Sequence, residues 1–91
     1  MKYEITEGNV FDTLFPPEKA PIIKMRSDLL IMIQDYAAEK KLTQYQLSKL
    51  LDVPQSRVSD LMRGKLSKFN LEMLLTFVFR LGLTVKLTKV A

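Results

Sequence analysis

Apolar residues recur at helical spacing through the middle of the chain. The first helix is predicted over residues 21 to about 40, because Pro21 suits the first turn of a helix. Its apolar stripe has the spacing of one helix face and comprises Ile22, Met25, Leu29, Ile33, Tyr36 and Ala37. The apolar residues 30–32 widen this stripe, so the helix needs a second apolar surface to pack against.

Two short helices are predicted next, separated by the three-residue break "DVP". Thr43 is a natural N-cap for a helix over residues 44–51, whose inward-facing residues are predicted to be Leu47, Leu50 and Leu51. The second short helix starts at Gln55 and runs to about Arg63. Gly64 follows it at the position where helices favour a left-handed residue.

A last helix and one strand complete the predicted order. Asn70 caps a helix over residues 71–81, which Gly82 ends. After it, "LTVKLTKV" alternates apolar and polar residues, which predicts a strand whose lysines protect an exposed edge. This strand is expected to help form a two-fold dimer, either by pairing with its symmetry mate or by adding to a small sheet across the interface. Its one candidate partner within the chain is "KYEIT", itself a weak strand signal. "NVFDTLF" predicts one or two helical turns capped by Asn9.

Composition limits the chemistry that the chain can perform. Ninety-one residues make a single domain, predicted as an N-terminal extension (1–20), a helical bundle (21–82) and a C-terminal strand (83–91). The chain has no cysteine and no histidine, which removes thiol nucleophiles, Ser-His pairs and nearly every zinc site. We therefore expect no enzyme activity, no cofactor and no metal. The chain shows no signal-peptide or membrane-span pattern, so a cytoplasmic protein is expected.

Charge is unevenly distributed along the chain. Residues 1–39 carry four basic and seven acidic side chains, whereas residues 40–68 carry seven basic and two acidic ones. A basic cluster of this kind is typical of a surface that binds nucleic acid. A solvated surface with a chance imbalance would look the same from charge alone.

The second short helix has one apolar and one polar side. Val58, Leu61 and Met62 share the side predicted to pack on the preceding helix. The opposite side carries mostly short hydrogen-bonding residues, namely Ser56, Ser59, Asp60 and Arg63, with Gln55 and Arg57 on its flanks. Two helices joined by three residues cross at roughly 90–120°. The polar side then projects outward, and a DNA major groove admits one helix.

The segment "LTQYQLSKLLDVPQSRVSDLMRGK" resembles the helix-turn-helix of the Xre/Cro regulator family. The residues that match its pattern are Leu42, Thr43, Gln44, Leu47, Leu51, Val53, Gln55, Val58, Ser59 and Gly64. The chain departs from it at Ser48, usually alanine, at Asp52, usually glycine, and at Pro54, usually a Ser or Thr cap. The resemblance implies a mainly α, repressor-like helical bundle with a helix-turn-helix and a short C-terminal strand.

The flanking segments resemble HigA-like antitoxins of type II toxin–antitoxin modules over nearly the whole chain. They include "NVFDTLF", "KMRSDLLIMI", "RVSDLMRGKLSKFNLEML" and "RLGLTVKLTK". The resemblance implies a homodimeric repressor that binds its own double-stranded operator and neutralises a small basic RelE-like ribonuclease toxin. Two alternatives stay open: a stand-alone or phage-type regulator, and a protein-interaction module with vestigial DNA binding.

Individual roles follow from side-chain chemistry and the motif. The predicted base contacts are Gln55, Ser56, Arg57 and Ser59, since guanidinium pairs with guanine and glutamine with adenine. The predicted DNA backbone contacts are Thr43, Gln44, Arg63, Lys65 and Lys68. Asp60 lies on the same side, either accepting from a cytosine amino group or orienting Arg57 or Arg63.

The acidic N-terminal third suggests a second surface. Residues 1 to about 35 are predicted to hold the basic toxin through complementary charge. An apolar anchor would come from Val10, Phe11, Leu14 and Phe15, with Ile31 and Met32 on the first helix. The alternative is that these residues cap the domain's own core.

Overall fold

The computed structural model describes the backbone of residues 2–6 and 19–90 and the side chains of residues 19–89. In this described part of the chain, four helices and two short strands are present. The elements in chain order are β1 (Lys2–Thr6), α1 (Lys19–Glu39), α2 (Gln44–Leu51), α3 (Gln55–Met62), a 3₁₀ turn (Leu66–Lys68), α4 (Leu71–Arg80) and β2 (Lys86–Val90). The predicted mainly α class, with a helix-turn-helix and a short C-terminal strand, is confirmed. The helical turns predicted for "NVFDTLF" lie outside the described residues.

Helix α1 is the longest element and supplies one wall of the core. It begins at Lys19, two residues before the predicted start, so Pro21 occupies the third helical position. Proline is tolerated there because the first N–H groups of a helix have no intrahelical partner. The residues of α1 that are buried are Leu29, Leu30, Ile33 and Ala37. Ile22 and Ile31 are exposed, so the buried stripe is narrower than predicted.

The starts of α2 and α4 are fixed by the predicted caps. The Thr43 side chain accepts from the backbone N–H of Gln46, and the Gln46 side chain accepts from the backbone N–H of Thr43, which together form a capping box. The Asn70 side chain accepts from the backbone N–H of Met73 at 2.8 Å. Each cap satisfies a donor that the helix itself leaves unpaired.

All four helices end in the same hydrogen-bonded turn. The residue after each helix's last turn lies in left-handed backbone, and the N–H of the next residue bonds back five positions, as in a Schellman motif. The left-handed residues are Lys41, Asp52, Gly64 and Gly82. Gly64 is therefore where the sequence predicted it. The other glycine, Gly82, allows α4 to stop before β2.

The core lies between α1, α4 and the α2–α3 pair. Its fully buried members come from every helix and from the segment after the 3₁₀ turn: Leu29, Ile33, Leu47, Leu51, Val58, Leu61, Phe69, Leu74 and Val78. Phe69 packs edge-on against Phe77, with ring centroids 6.1 Å apart. Two residues that were predicted to face inward are instead exposed, namely Leu50 and Met62.

The two strands pair with each other in parallel. The register joins Lys2 to Lys86 and Thr6 to Val90. The weak strand signal of "KYEIT" is confirmed, and β2 finds its partner within the same chain. The strand β2 therefore has a partner within its own chain, and its expected part in a two-fold dimer stays a prediction.

Candidate nucleic-acid interface

A three-residue turn joins α2 to α3. Asp52 adopts left-handed backbone with φ 58° and ψ 50°, and the N–H of Val53 donates to the carbonyl of Ser48 at 3.0 Å. Pro54 then enters α3 in extended backbone as its N-cap. Aspartate tolerates left-handed backbone better than most residues, so this turn accommodates it where the pattern has glycine.

The two helices pack through residues that exclude water. Leu47 and Leu51 of α2, and Val58 and Leu61 of α3, are all at most 1 % exposed. Ser48 is also buried, and its hydroxyl donates to the carbonyl of Tyr45 at 2.6 Å. Ser48 is therefore a small, hydrogen-bonded residue at the position where the helix-turn-helix pattern has alanine. Because the turn has only three residues, the two helices cannot lie antiparallel.

The outer side of α3 is polar and accessible. Gln55, Ser56 and Arg63 are exposed, and Ser59 is half-buried. Within residues 19–89, the side chains of Gln55, Ser56 and Ser59 form no hydrogen bond. These three predicted base contacts are therefore available to an external partner.

The predicted contacts at the start of α2 occupy different environments. The Thr43 hydroxyl oxygen is engaged as the helix cap, which leaves its proton free to donate. Gln44 is exposed at the first position of α2. Among the described residues, no hydrogen bond joins Gln44 to Gln55.

Arg57 makes contacts within the protein. Its side chain is half-buried, and Nη1 donates to the carbonyl of Lys68 at 3.3 Å. The guanidinium also lies over the ring of Phe69, 5.6 Å from its centroid, which is cation–π geometry. The predicted base contact by Arg57 stays a prediction, but this guanidinium already has partners in the free protein.

Asp60 pairs with two lysines that follow α3. Its carboxylate oxygens lie 3.6 Å from Nζ of Lys65 and 3.7 Å from Nζ of Lys68. The interpretation that Asp60 orients Arg57 or Arg63 is therefore wrong. We call residues 65–68 the lysine loop, since it presents both predicted phosphate-binding lysines beside α3.

Two polar residues of α1 that bond to α3 and to the residue after the lysine loop were not predicted from the sequence. Gln34 Nε2 donates to the carbonyl of Leu61 at 3.0 Å, near the end of α3. Arg26 Nη1 donates to the carbonyl of Phe69 at 3.2 Å. The signal for Arg26 was its place on the apolar stripe of α1, three residues before the buried Leu29.

The contacts of Arg80 and Lys49 were not predicted from the sequence either. Arg80 Nη1 of α4 donates to the carbonyl of Leu51, which fixes the end of α2. Lys49 lies over the ring of Tyr45, 5.1 Å from its centroid. Lys49, Tyr45 and Gln55 border an open groove of about 450 Å³ beside the turn. Lys49 therefore adds positive charge to a groove that Gln55, a predicted base contact, also borders.

Neither a metal-binding cluster nor a membrane-spanning helix is found in the described part of the chain. No three acidic side chains there are grouped as a metal ion would require. None of the helices in that part is both long and apolar enough to cross a membrane.

The fold and this surface define a helix-turn-helix DNA-binding domain, in which α2 supports α3 and α3 exposes a polar side flanked by basic residues. A family model described as a helix-turn-helix domain matches residues 13–88. The chain belongs to that helix-turn-helix domain family. No curated protein matches the chain.

Proposed function

We propose that this protein is a transcriptional repressor that binds a specific double-stranded DNA sequence through α3. The observation that carries the proposal is the unpartnered polar side of α3, which displays Gln55, Ser56 and Ser59 beside the exposed Arg63. Short side chains allow a helix to enter the major groove deeply, and glutamine can pair bidentately with adenine. The basic excess of residues 40–68 supplies the attraction to phosphate.

Two sets of contacts have separate tasks in this proposal. Gln55, Ser56 and Ser59 read base edges. The sequence also predicted a base contact by Arg57, but its guanidinium already has partners within the protein. The residues that position the protein on the DNA backbone are Thr43, Gln44, Arg63, Lys65 and Lys68. Thr43 and Gln44 lie at the α2 N-terminus, where backbone N–H groups favour a phosphate.

Selection from a randomised duplex library tests sequence-specific binding. The wild-type protein is expected to enrich one site, and the Gln55→Ala variant to lose discrimination at one base position, about 1–3 kcal/mol. Lys65→Ala is the matched control, since it should weaken all sequences similarly. A library that yields no enriched site, or equal losses on enriched and random DNA for both variants, contradicts the proposal.

We further propose that two copies bind together as a homodimer. A two-stranded sheet keeps two open edges and is marginal alone, so β1–β2 offers an edge to a second copy. Leu87 of β2 is 64 % exposed and would be covered in such an arrangement. The two α3 helices would then address major grooves about 34 Å apart.

The antitoxin role is the finer proposal. Its support is the resemblance to HigA-like antitoxins and the acidic balance of residues 1–39. An acidic segment suits a basic RNA-cleaving toxin better than it suits DNA, because complementary charge speeds association. The apolar residues Val10, Phe11, Leu14 and Phe15 would supply the anchor.

The toxin proposal is tested with the product of any adjacent reading frame that encodes a small basic protein. Deleting residues 1–15 would also remove β1, so we choose the double substitution Phe11→Ser/Phe15→Ser. It should abolish co-purification of that product while operator affinity and melting temperature stay unchanged. Retained co-purification, or a large fall in melting temperature, contradicts the role of this segment. A stand-alone regulator would show operator binding and no such partner.

A further inference from the structure

We propose that Arg57 is a positioning residue, which acts on DNA through the lysine loop rather than by touching a base. The inference rests on the proposed DNA-binding function and concerns how that surface is built. Arg57 would hold the backbone of residues 65–68 so that Lys65 and Lys68 meet DNA phosphates beside α3.

The guanidinium of Arg57 is held at two points. Nη1 donates to the carbonyl of Lys68 at 3.3 Å, and the guanidinium lies 5.6 Å from the ring centroid of Phe69. A base contact would require the planar guanidinium to present its fork to a base edge. Turning the fork toward DNA would give up both contacts with residues 68 and 69.

The far end of the lysine loop is anchored in the core. Phe69 is 1 % exposed, packs edge-on against Phe77, and its carbonyl accepts from Arg26. Arg57 therefore stacks on a fixed ring and bonds the residue just before it. This connection ties α3 to the point where the loop enters the core.

Holding the loop has a physical consequence for DNA binding. A lysine side chain has many rotamers, and a mobile backbone beneath it adds to the entropy that phosphate binding must remove. Fixing the backbone of Lys68 before binding reduces that cost, as preorganisation does generally. The loss of Arg57 should then weaken phosphate contacts that Arg57 itself never makes.

A double-mutant cycle on affinity separates this role from a base contact. Arg57→Met keeps an aliphatic side chain against Phe69 and removes the donor. It should weaken binding to the enriched site and to random DNA by the same factor, about threefold. Lys68→Ala should cost about threefold in the wild-type background and less than about 1.5-fold in the Arg57→Met background.

Lys49→Ala is the matched control for loss of charge. Lys49 lies over Tyr45 on α2 and makes no hydrogen bond or ion pair with the lysine loop, so its effect should be the same in both backgrounds. Equal coupling of Arg57 to Lys49 and to Lys68 overturns the proposal. So does an Arg57→Met variant that weakens the enriched site alone, which is the signature of a base contact.

Amide hydrogen exchange in the free protein gives a readout that does not depend on DNA. Arg57→Met should speed exchange at Lys68 and Phe69 and leave α1 unchanged. If exchange is unchanged while DNA binding persists, the positioning role fails and the proposed function stands. If exchange responds but the wild-type protein binds no duplex, the proposed function fails, and the loop is held for another purpose than DNA.

Discussion

Two helices end on residues that carry a β-carbon in left-handed backbone. Lys41 has φ 54° and Asp52 has φ 58°, whereas the other two helices use glycine at the same position. A left-handed residue with a β-carbon is strained, and aspartate relieves part of that strain locally. The turn that orients α3 relative to α2 therefore includes a strained residue, Asp52, which lowers the free energy of unfolding.

Asp52→Gly should raise the free energy of unfolding by up to about 1 kcal/mol, because glycine adopts this backbone without strain. Asp52→Ala should lower it by about 1 kcal/mol, since alanine has neither glycine's freedom nor a local hydrogen bond. Urea unfolding measures both. Lys41→Gly is the control, because Lys41 has the same left-handed backbone after α1, outside the helix-turn-helix. It should also raise the free energy of unfolding. An alanine variant more stable than the glycine variant would refute this account.

The cap of α2 is the second residue-scale feature with a measurable effect. Thr43→Ala removes the acceptor for the Gln46 N–H and should lower the free energy of unfolding by about 1 kcal/mol. Thr43→Ser keeps the acceptor and should be nearly neutral. Equal stability of the two variants in urea unfolding would mean that the capping box contributes little.

At the scale of elements, the sequence predicted helix ends better than it predicted helix faces. Thr43, Asn70 and Gly64 were placed correctly because caps depend on local backbone chemistry. Leu50 was placed inward because it lies three residues after Leu47. At about 100° per residue, however, it points about 100° away from the buried Leu51. In an eight-residue helix, such an edge position is decided by neighbours that periodicity does not describe.

The candidate site was predictable to a similar extent. The polar side of α3 follows from periodicity, and the structure leaves Gln55, Ser56 and Ser59 free of partners within the described residues. The links from Arg57 to Lys68, and from Asp60 to Lys65, depend on how the lysine loop folds back beside α3. No local sequence pattern predicts that the loop folds back in this way, so these contacts could be identified only from the structure.

The element-scale pairing of α3 with the lysine loop makes a prediction about charge. Asp60→Asn should tighten binding to random DNA by about threefold and steepen the salt dependence by about one unit. It removes a negative charge near phosphates and releases both lysine ammonium groups. Fluorescence anisotropy on random duplexes at two salt concentrations measures this. Its effect on stability should stay below about 1 kcal/mol, because both ion pairs are partly exposed.

Weaker binding of random DNA by Asp60→Asn would contradict the charge argument. It would mean that the carboxylate is needed to hold the lysines in a productive arrangement. Asp35→Asn is the control for loss of negative charge: it also removes a carboxylate, in this case an exposed one on α1. Its effect on DNA affinity should be much smaller.

At the scale of the whole molecule, charge is divided between two regions of sequence. The acidic excess of residues 1–39 and the basic excess of residues 40–68 would let one chain meet a basic protein and DNA at the same time. The described helices place the basic region around α2, α3 and the lysine loop. A dimer that assembles through the strands would carry two acidic and two basic regions.

Removing β2 tests the proposed assembly. A chain truncated after Gly82 should be monomeric by light scattering and bind a two-half-site operator more weakly, because only one α3 contacts each DNA molecule. Its binding to a single half-site should be unchanged. A truncated chain that stays dimeric would show that the strands do not form the interface.

The parallel pairing of β1 with β2 also has a consequence for the order in which the chain folds. It joins residues about as far apart in sequence as the chain allows, and closing so long a loop costs entropy before the ladder returns any stabilisation. The α2–α3 pair, by contrast, is joined by only three residues, which favours its early formation. The strand ladder should therefore form last and open first, as a separate unit of low local stability. In native-state hydrogen exchange, the amides of β2 should exchange well before those of Ile33 or Leu74.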